Sequence, residues 1–87
     1  MASYRLLFKQ SVAKDLRELP RQDLERILEC IEALAEDSRP PGCEKLSGQG
    51  DRYRVRQGQY RIIYSIHDGT LTVMVVKVGH RRDVYRK

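Results

Sequence analysis

Apolar positions change their period near the middle of the chain. Leu24, Ile27, Leu28, Ile31, Leu34 and Ala35 recur at three-four spacing, with Glu25, Arg26, Glu29, Glu32 and Glu36 on the opposite face. That pattern predicts an amphipathic helix over about residues 20–37, with Pro20 suited to its first turn. Cys30 and Ala33 flank the stripe. A shorter helix is predicted over 12–19, capped by Ser11 and presenting Val12, Leu16 and Leu19. Before it, "SYRLLFKQ" (3–10) reads as a first strand. After a connector rich in proline and glycine, "SRPPGCEKLSGQG" (38–50), the period drops to two. "RYRVR" (52–56) alternates, "QYRIIYSI" (59–66) is rich in β-formers, and "LTVMVVKV" (71–78) is almost continuously apolar. The order β-α-α-β-β-β predicts one α+β domain over residues 1–87. Its expected sheet is four-stranded and mostly antiparallel, with both helices packed on one face.

Two short turns set an expected register. With Gln57-Gly58 and Asp68-Gly69 as two-residue hairpin loops, Arg56 falls opposite Gln59, Val55 opposite Tyr60, Arg54 opposite Arg61 and Tyr53 opposite Ile62. Side chains two apart share a face. Tyr53, Val55, Tyr60, Ile62, Tyr64, Ile66, Leu71, Val73 and Val75 then form the core face. Arg52, Arg54, Arg56 and Arg61 occupy the other, beside Ile63, Met74, Val76 and Val78. Like charges directly opposite one another destabilise a hairpin by up to about 1 kcal/mol. An anion held between the guanidiniums of Arg54 and Arg61 would reverse that sign. Breaches of local rules gather at functional sites.

Charge sharpens this picture. The formal net charge is +5. Residues 1–50 hold eight Lys/Arg against nine Asp/Glu, whereas residues 51–87 hold nine against three. Seven of those nine are arginines, whose planar forks match phosphate oxygens. An anionic partner is expected, nucleic acid first among the candidates. Cys30 and Cys43 stand apart, without a CxxC or a His pair, so no metal and no disulfide are expected. No apolar run is long enough to span a bilayer, and "MASYRLLFKQ" lacks a signal-peptide pattern, so a cytoplasmic location is expected. Nothing in the sequence points to a small-molecule cofactor.

The last strand runs into "VGHRRDVY" (78–85). Gly79 permits a sharp bend, after which His80, Arg81 and Tyr85 can fold back over the basic face. "YRVR-x-G-x-YRIIY" (53–64) and "VGHRRDVY", in this order and spacing, resemble the RelE/ParE toxin superfamily and its RelE-like branch in particular. The resemblance extends over nearly the whole chain. It implies the toxin of a type II toxin–antitoxin pair, a ribosome-dependent endoribonuclease that cleaves mRNA in the A site and is held by a RelB-like antitoxin. Carried over by position, the family's site falls on Arg54, Arg56, Arg61, Arg81 and Tyr85. A well-known member carries lysines where Arg54 and Arg56 stand, and an arginine stays protonated, so neither can readily shuttle a proton. Two residues follow Tyr85, so the C-terminal helix of some relatives is not expected.

RNA cleavage without metal proceeds by attack of the 2′-OH on the adjacent phosphorus. The protein must remove a proton, stabilise charge and protonate the leaving oxygen. Arg61 and Arg81, assisted by Arg54, suit charge stabilisation. Proton transfer falls to His80, whose ordinary pKa of about 6.5 is suitable, or to Tyr85, which the resemblance favours. Arg52, Arg56, Lys45, Arg82 and Arg86 are expected to contact RNA or phosphate. Two alternatives stand beside this reading: a ParE-like gyrase inhibitor without nuclease activity, and a non-catalytic basic RNA-binding module. The arginine face lacks the aromatic row that the latter would use.

Overall fold

The computed structural model describes residues 3–48 and 50–80. The elements are β1 (Arg5–Phe8), α1 (Val12–Arg17), α2 (Arg21–Glu36), β2 (Glu44–Lys45), β3 (Arg52–Gln57), β4 (Tyr60–His67) and β5 (Thr72–His80). One sheet in the order β1-β5-β4-β3-β2 joins all five strands. Among the described residues, only β1 and β5 run parallel, Arg5 opposite Thr72 and Phe8 opposite Val75. The α+β class and the predicted order of the larger elements hold, and β2 is an addition. Two residues are too few to show a period, and β2 lies inside what reads as a connector.

The α2 helix follows its amphipathic pattern. Pro20, with extended ψ, is its N-cap rather than a first-turn residue, and Asp37 leaves the last turn in an extended conformation. Ile27, Ile31 and Leu34 are fully buried against the sheet, each contributing about 1.5–3 kcal/mol. Leu28 turns outward and is 37% exposed, so the buried stripe is narrower than the sequence pattern. Ser11 precedes α1 in a helical conformation and makes no capping side-chain hydrogen bond. The turn there is closed by the Val12 N–H donating to the Lys9 carbonyl instead.

The β3–β4 hairpin turns on Gly58-Gln59, one residue later than expected. Gln57 pairs with Tyr60, and Gly58 has a φ of +62° as the first central residue of the turn. A type II′ loop needs glycine at that position, and a φ near +60° excludes most side chains. The pairing therefore moves by two residues along one strand. An even shift preserves which side chains share a face, so Tyr53, Val55, Ile62 and Tyr64 stay on the core side.

The β4–β5 connection departs further. Asp68–Thr70 form a single 3-10 turn, and Leu71 follows at φ +48°, exposed rather than in the strand. His67 pairs with Thr72, and a β-bulge follows between Ile63 and Tyr64. Tyr64 lies opposite Val75 and Ile63 opposite Lys77, so Val76 is the extra residue. One extra residue reverses the side-chain phase of the strand. Val78 consequently points into the core, only 2% exposed, and not onto the arginine face.

Tyr64 sits at the centre of the core, fully buried, its ring stacked on Tyr53 at 6.0 Å. Its hydroxyl donates to the Ser38 carbonyl at 2.9 Å, and burial together with the neighbouring Cys43 pushes its pKa well above the ordinary value. Cys30 and Cys43 are free thiols, with the Cys30 pKa raised by burial. At the sheet end near the 3-10 turn, the Tyr4 hydroxyl donates to Asp68. Arg39 grips the same carboxylate through Nη1 and Nη2, at 3.4 and 3.0 Å, and lies over the Tyr53 ring. These bonds hold the Asp68 carboxyl below its usual range and raise the Tyr4 hydroxyl. Among the described residues, no helix is long and apolar enough to cross a membrane.

Candidate functional site

The helices cover one face of the sheet and leave the other to β-strand side chains alone. The pairings place Glu44, Arg54, Ile63 and Lys77 in one row across that open face. The next row is Arg56, Arg61 and Gly79, and on the other flank Arg52 lies opposite Ser65. The like-charge pair expected at Arg54 and Arg61 is therefore found at Arg56 and Arg61. Arg54 instead faces Ile63 on one side and Glu44 on the other.

Glu44 is the residue that sequence reasoning missed here. Arg54 donates through Nε at 3.1 Å and Nη2 at 2.7 Å, both to Glu44 Oε1. Glu44, Arg54, Arg56 and Arg61, with Gly42, line a narrow cleft of about 40 Å³. Gly42 adopts a φ of +91°, a backbone conformation that favours glycine. Among the described residues, these three guanidiniums on adjoining strands have the charge and fork geometry to bind a phosphodiester, with the Glu44 carboxylate beside them.

The other sequence-predicted residues divide by position. Lys45 lies opposite Tyr53 and so shares the helix-side face, away from the arginines. His80 pairs with Tyr60 on that same side, its ring edge-on to the Tyr60 ring at 5.8 Å. Tyr60 is itself hydrogen-bonded to Asp23, and its pKa is raised by desolvation first and by Asp23 second. The bulge at Val76 causes this, because it reverses the phase of the strand end that carries His80. The expectation that His80 folds over the basic face is thus not met within β5. Arg81, Arg82, Tyr85 and Arg86 lie outside the described residues. Groups of His, Cys, Asp and Glu able to hold a metal ion are absent among the described residues.

A second carboxylate that the sequence did not single out braces the strand end. Beyond Val75, whose carbonyl takes the Lys9 N–H, β1 no longer borders β5. The α1 helix occupies that place, and Asp15 accepts the Val78 N–H at 3.2 Å and the Lys77 ammonium at 3.4 Å. The carboxylate thereby replaces the missing strand partner and aims the chain at Gly79.

The same order of elements and residues matches a known family. A model of the ParE toxins of type II toxin–antitoxin systems, parDE, covers residues 6–85. The chain belongs to this toxin family. Toxin RelG of Mycobacterium tuberculosis is 32% identical to the toxin over 87 residues, covering 97% of this chain and 98% of that one. A putative toxin, RelE1, of Methanocaldococcus jannaschii is 31% identical over 78 residues, covering 86% and 87%. The RelE–RelB complex of Pyrococcus horikoshii superposes on the toxin with a TM-score of 0.82 at 32% identity, over 93% of this chain and 98% of that chain. The intact RelBE toxin–antitoxin complex of Escherichia coli gives 0.79 at 28% identity, over 90% and 96%. The RelE-like α+β fold expected from the sequence is the fold found.

Proposed function

We propose that this toxin is a ribosome-dependent endoribonuclease that cleaves mRNA in the A site without a metal ion, and that a RelB-like antitoxin neutralises it. The observation that carries the reading is the Arg56–Arg61 pair with Arg54 beside it on the uncovered face of the sheet. Such a cluster is unfavourable in the free protein and favourable around a phosphodiester. The RelE and RelG names of similar toxins, and the RelB partners in similar structures, support the same reading. Arg61 and Arg54 stabilise the charge that develops on phosphorus, joined by Arg81 from the chain beyond β5. Arg56 and Arg52 hold the backbone. Lys45, Arg82 and Arg86 serve as more distant RNA contacts. The position of the His80 ring, packed on Tyr60 behind the sheet, favours Tyr85 as the group that protonates the leaving oxygen. A ribosomal target places the toxin in the cytoplasm.

The test is a purified toxin added to ribosomes programmed with a defined mRNA, with 5′ ends mapped by primer extension in excess chelator. Cuts within the A-site codon are expected, weakened about 100-fold or more by Arg61→Ala. Intact mRNA together with inhibited gyrase supercoiling would overturn the reading in favour of a ParE-like gyrase poison. Antitoxin capture is expected to weaken with added salt, because an acidic segment would cover the arginine face.

A further inference from the structure

The open face continues past the arginine cleft to the other end of the sheet. Ser65 and His67 follow Arg61 and Ile63 on that side of β4, since residues two apart share a face. His67 pairs with Thr72, which pairs in turn with Arg5, so one row across the sheet runs His67, Thr72, Arg5. Arg5 is exposed at the β1 edge. Arg52, opposite Ser65, lies diagonal to His67 at about 7–8 Å. Four residues of strand, about 13 Å, separate this row from the one that holds Arg54.

Both nitrogens of the His67 ring are engaged. Asp51 Oδ2 lies 3.2 Å from Nδ1, and Ser65 Oγ lies 2.9 Å from Nε2. A carboxylate can only accept, so Nδ1 donates to Asp51, and Nε2 of the neutral ring accepts from the Ser65 hydroxyl. The two anchors are themselves fixed. Ser65 is buried within the sheet, and the Asp51 carbonyl takes the Ile66 N–H at 3.1 Å. Ser65, His67 and Asp51 follow the order of a hydrolase triad. Ser65 is only 5% exposed, and its hydroxyl is directed to the ring rather than to an incoming carbonyl. What the arrangement leaves available is the imidazole itself, whose side chain is 43% exposed. A ring held by both nitrogens cannot turn away, and its open surface can stack on a nucleobase.

We infer that His67 is a base-stacking subsite for single-stranded RNA, flanked by Arg52 and Arg5 as phosphate contacts, an inference that rests on the nuclease reading above. The cleft of Arg54, Arg56 and Arg61 grips one phosphodiester, and His67 holds a base farther along the same RNA. Stacking tolerates any base, so the subsite adds affinity without demanding a sequence.

The test measures binding of a fluorescein-labelled oligoadenylate by anisotropy, with variants that separate the ring from its nitrogens. His67→Phe and His67→Leu lose the same two hydrogen bonds, and only H67F keeps an aromatic face. H67F is expected to bind within about 2-fold of the unsubstituted toxin, and H67L and H67A about 5-fold or more weaker, the effect of losing one base–aromatic stack. Arg5→Ala should flatten the slope of log Kd against log salt by about 0.7, the release from one phosphate contact on a single strand. An unchanged slope would overturn the phosphate role of Arg5. Equal weakening by H67F and H67L would overturn the stacking subsite, as would unchanged binding by H67A or no binding by the unsubstituted toxin. A folding defect from the lost anchors is common to H67F and H67L and cancels between them. A toxin that cuts ribosome-bound mRNA while H67A binds oligoadenylate unchanged sinks the subsite alone; one that leaves that mRNA intact sinks the nuclease reading.

Discussion

The two faces of one sheet follow opposite rules. On the helix side, Ile62, Tyr64, Val73, Val75 and Val78 are almost wholly removed from water, and the polar atom that enters, the Tyr64 hydroxyl, finds a carbonyl. On the other side the same strands carry Arg52, Arg54, Arg56 and Arg61 within a few residues, with like charges directly opposite. Adjacent residues of a single strand thus alternate between a buried apolar face and an arginine-rich one. Under the proposed function, stability and activity are separable at the resolution of one residue. A substitution on one face should move the melting temperature and leave the chemistry, and the reverse on the other.

Four substitutions test that separation. Ile62→Ala removes a fully buried side chain next to Arg61 and is expected to cost about 2–5 kcal/mol in chemical denaturation. A loss under about 1 kcal/mol would mean that the helix-side core is loosely packed. Tyr64→Phe leaves the ring and removes the bond to Ser38, which should cost about 1–3 kcal/mol because a buried carbonyl loses its partner. Arg56→Glu puts opposite charges across from each other and should stabilise the hairpin by about 0.2–1 kcal/mol. The same variant is expected to bind ribosomes more weakly, so stability rises as function falls. Destabilisation by R56E would show that the face has no intrinsic charge conflict. Leu71→Asn relieves a left-handed backbone at an exposed position and should stabilise by under about 1 kcal/mol, read from the same denaturation curves.

The smallest effect concerns pH. Asp68 has a lowered folded-state pKa, held down first by Arg39 and then by Tyr4. Its contribution is complete above the unfolded value of 3.8 and disappears as pH falls through the lower folded value. Asp68→Asn should therefore show a shallower loss of stability than the unsubstituted toxin as pH falls through and below about 4. Identical acid-unfolding curves would show that the Tyr4–Asp68–Arg39 contacts are too exposed to matter.

Much of this arrangement could be read from the sequence, and the failures have a common physical origin. The α2 helix and the two central strands were legible because their periods repeat often enough to fix both type and phase. The arginine face was legible because parity survives an even shift of register. The partner of Arg61 was not, because Gly58 can serve either position of a two-residue loop. The side occupied by His80 was hidden by "VMVVKV", where apolar residues on both faces mask the extra residue at Val76. Glu44 was hidden for a different reason. It gains its meaning from Arg54, ten residues away on the neighbouring strand, and from nothing next to it in sequence.

The pairing of β1 with β5 has a consequence for when the toxin becomes active. The β1 strand docks on β5, so the sheet cannot close until the chain through β5 has left the ribosome. Contacts that remote in sequence slow folding, because a large loop must be ordered before they repay its entropy. Arg61 lies on β4, which needs β5 as a neighbour to be held in place, and β4 in turn borders β3, which carries Arg54. A half-made chain carries the arginines without the frame that aligns them. Synthesis itself therefore delays assembly of the site, which gives a partner synthesised earlier the chance to be present when folding ends.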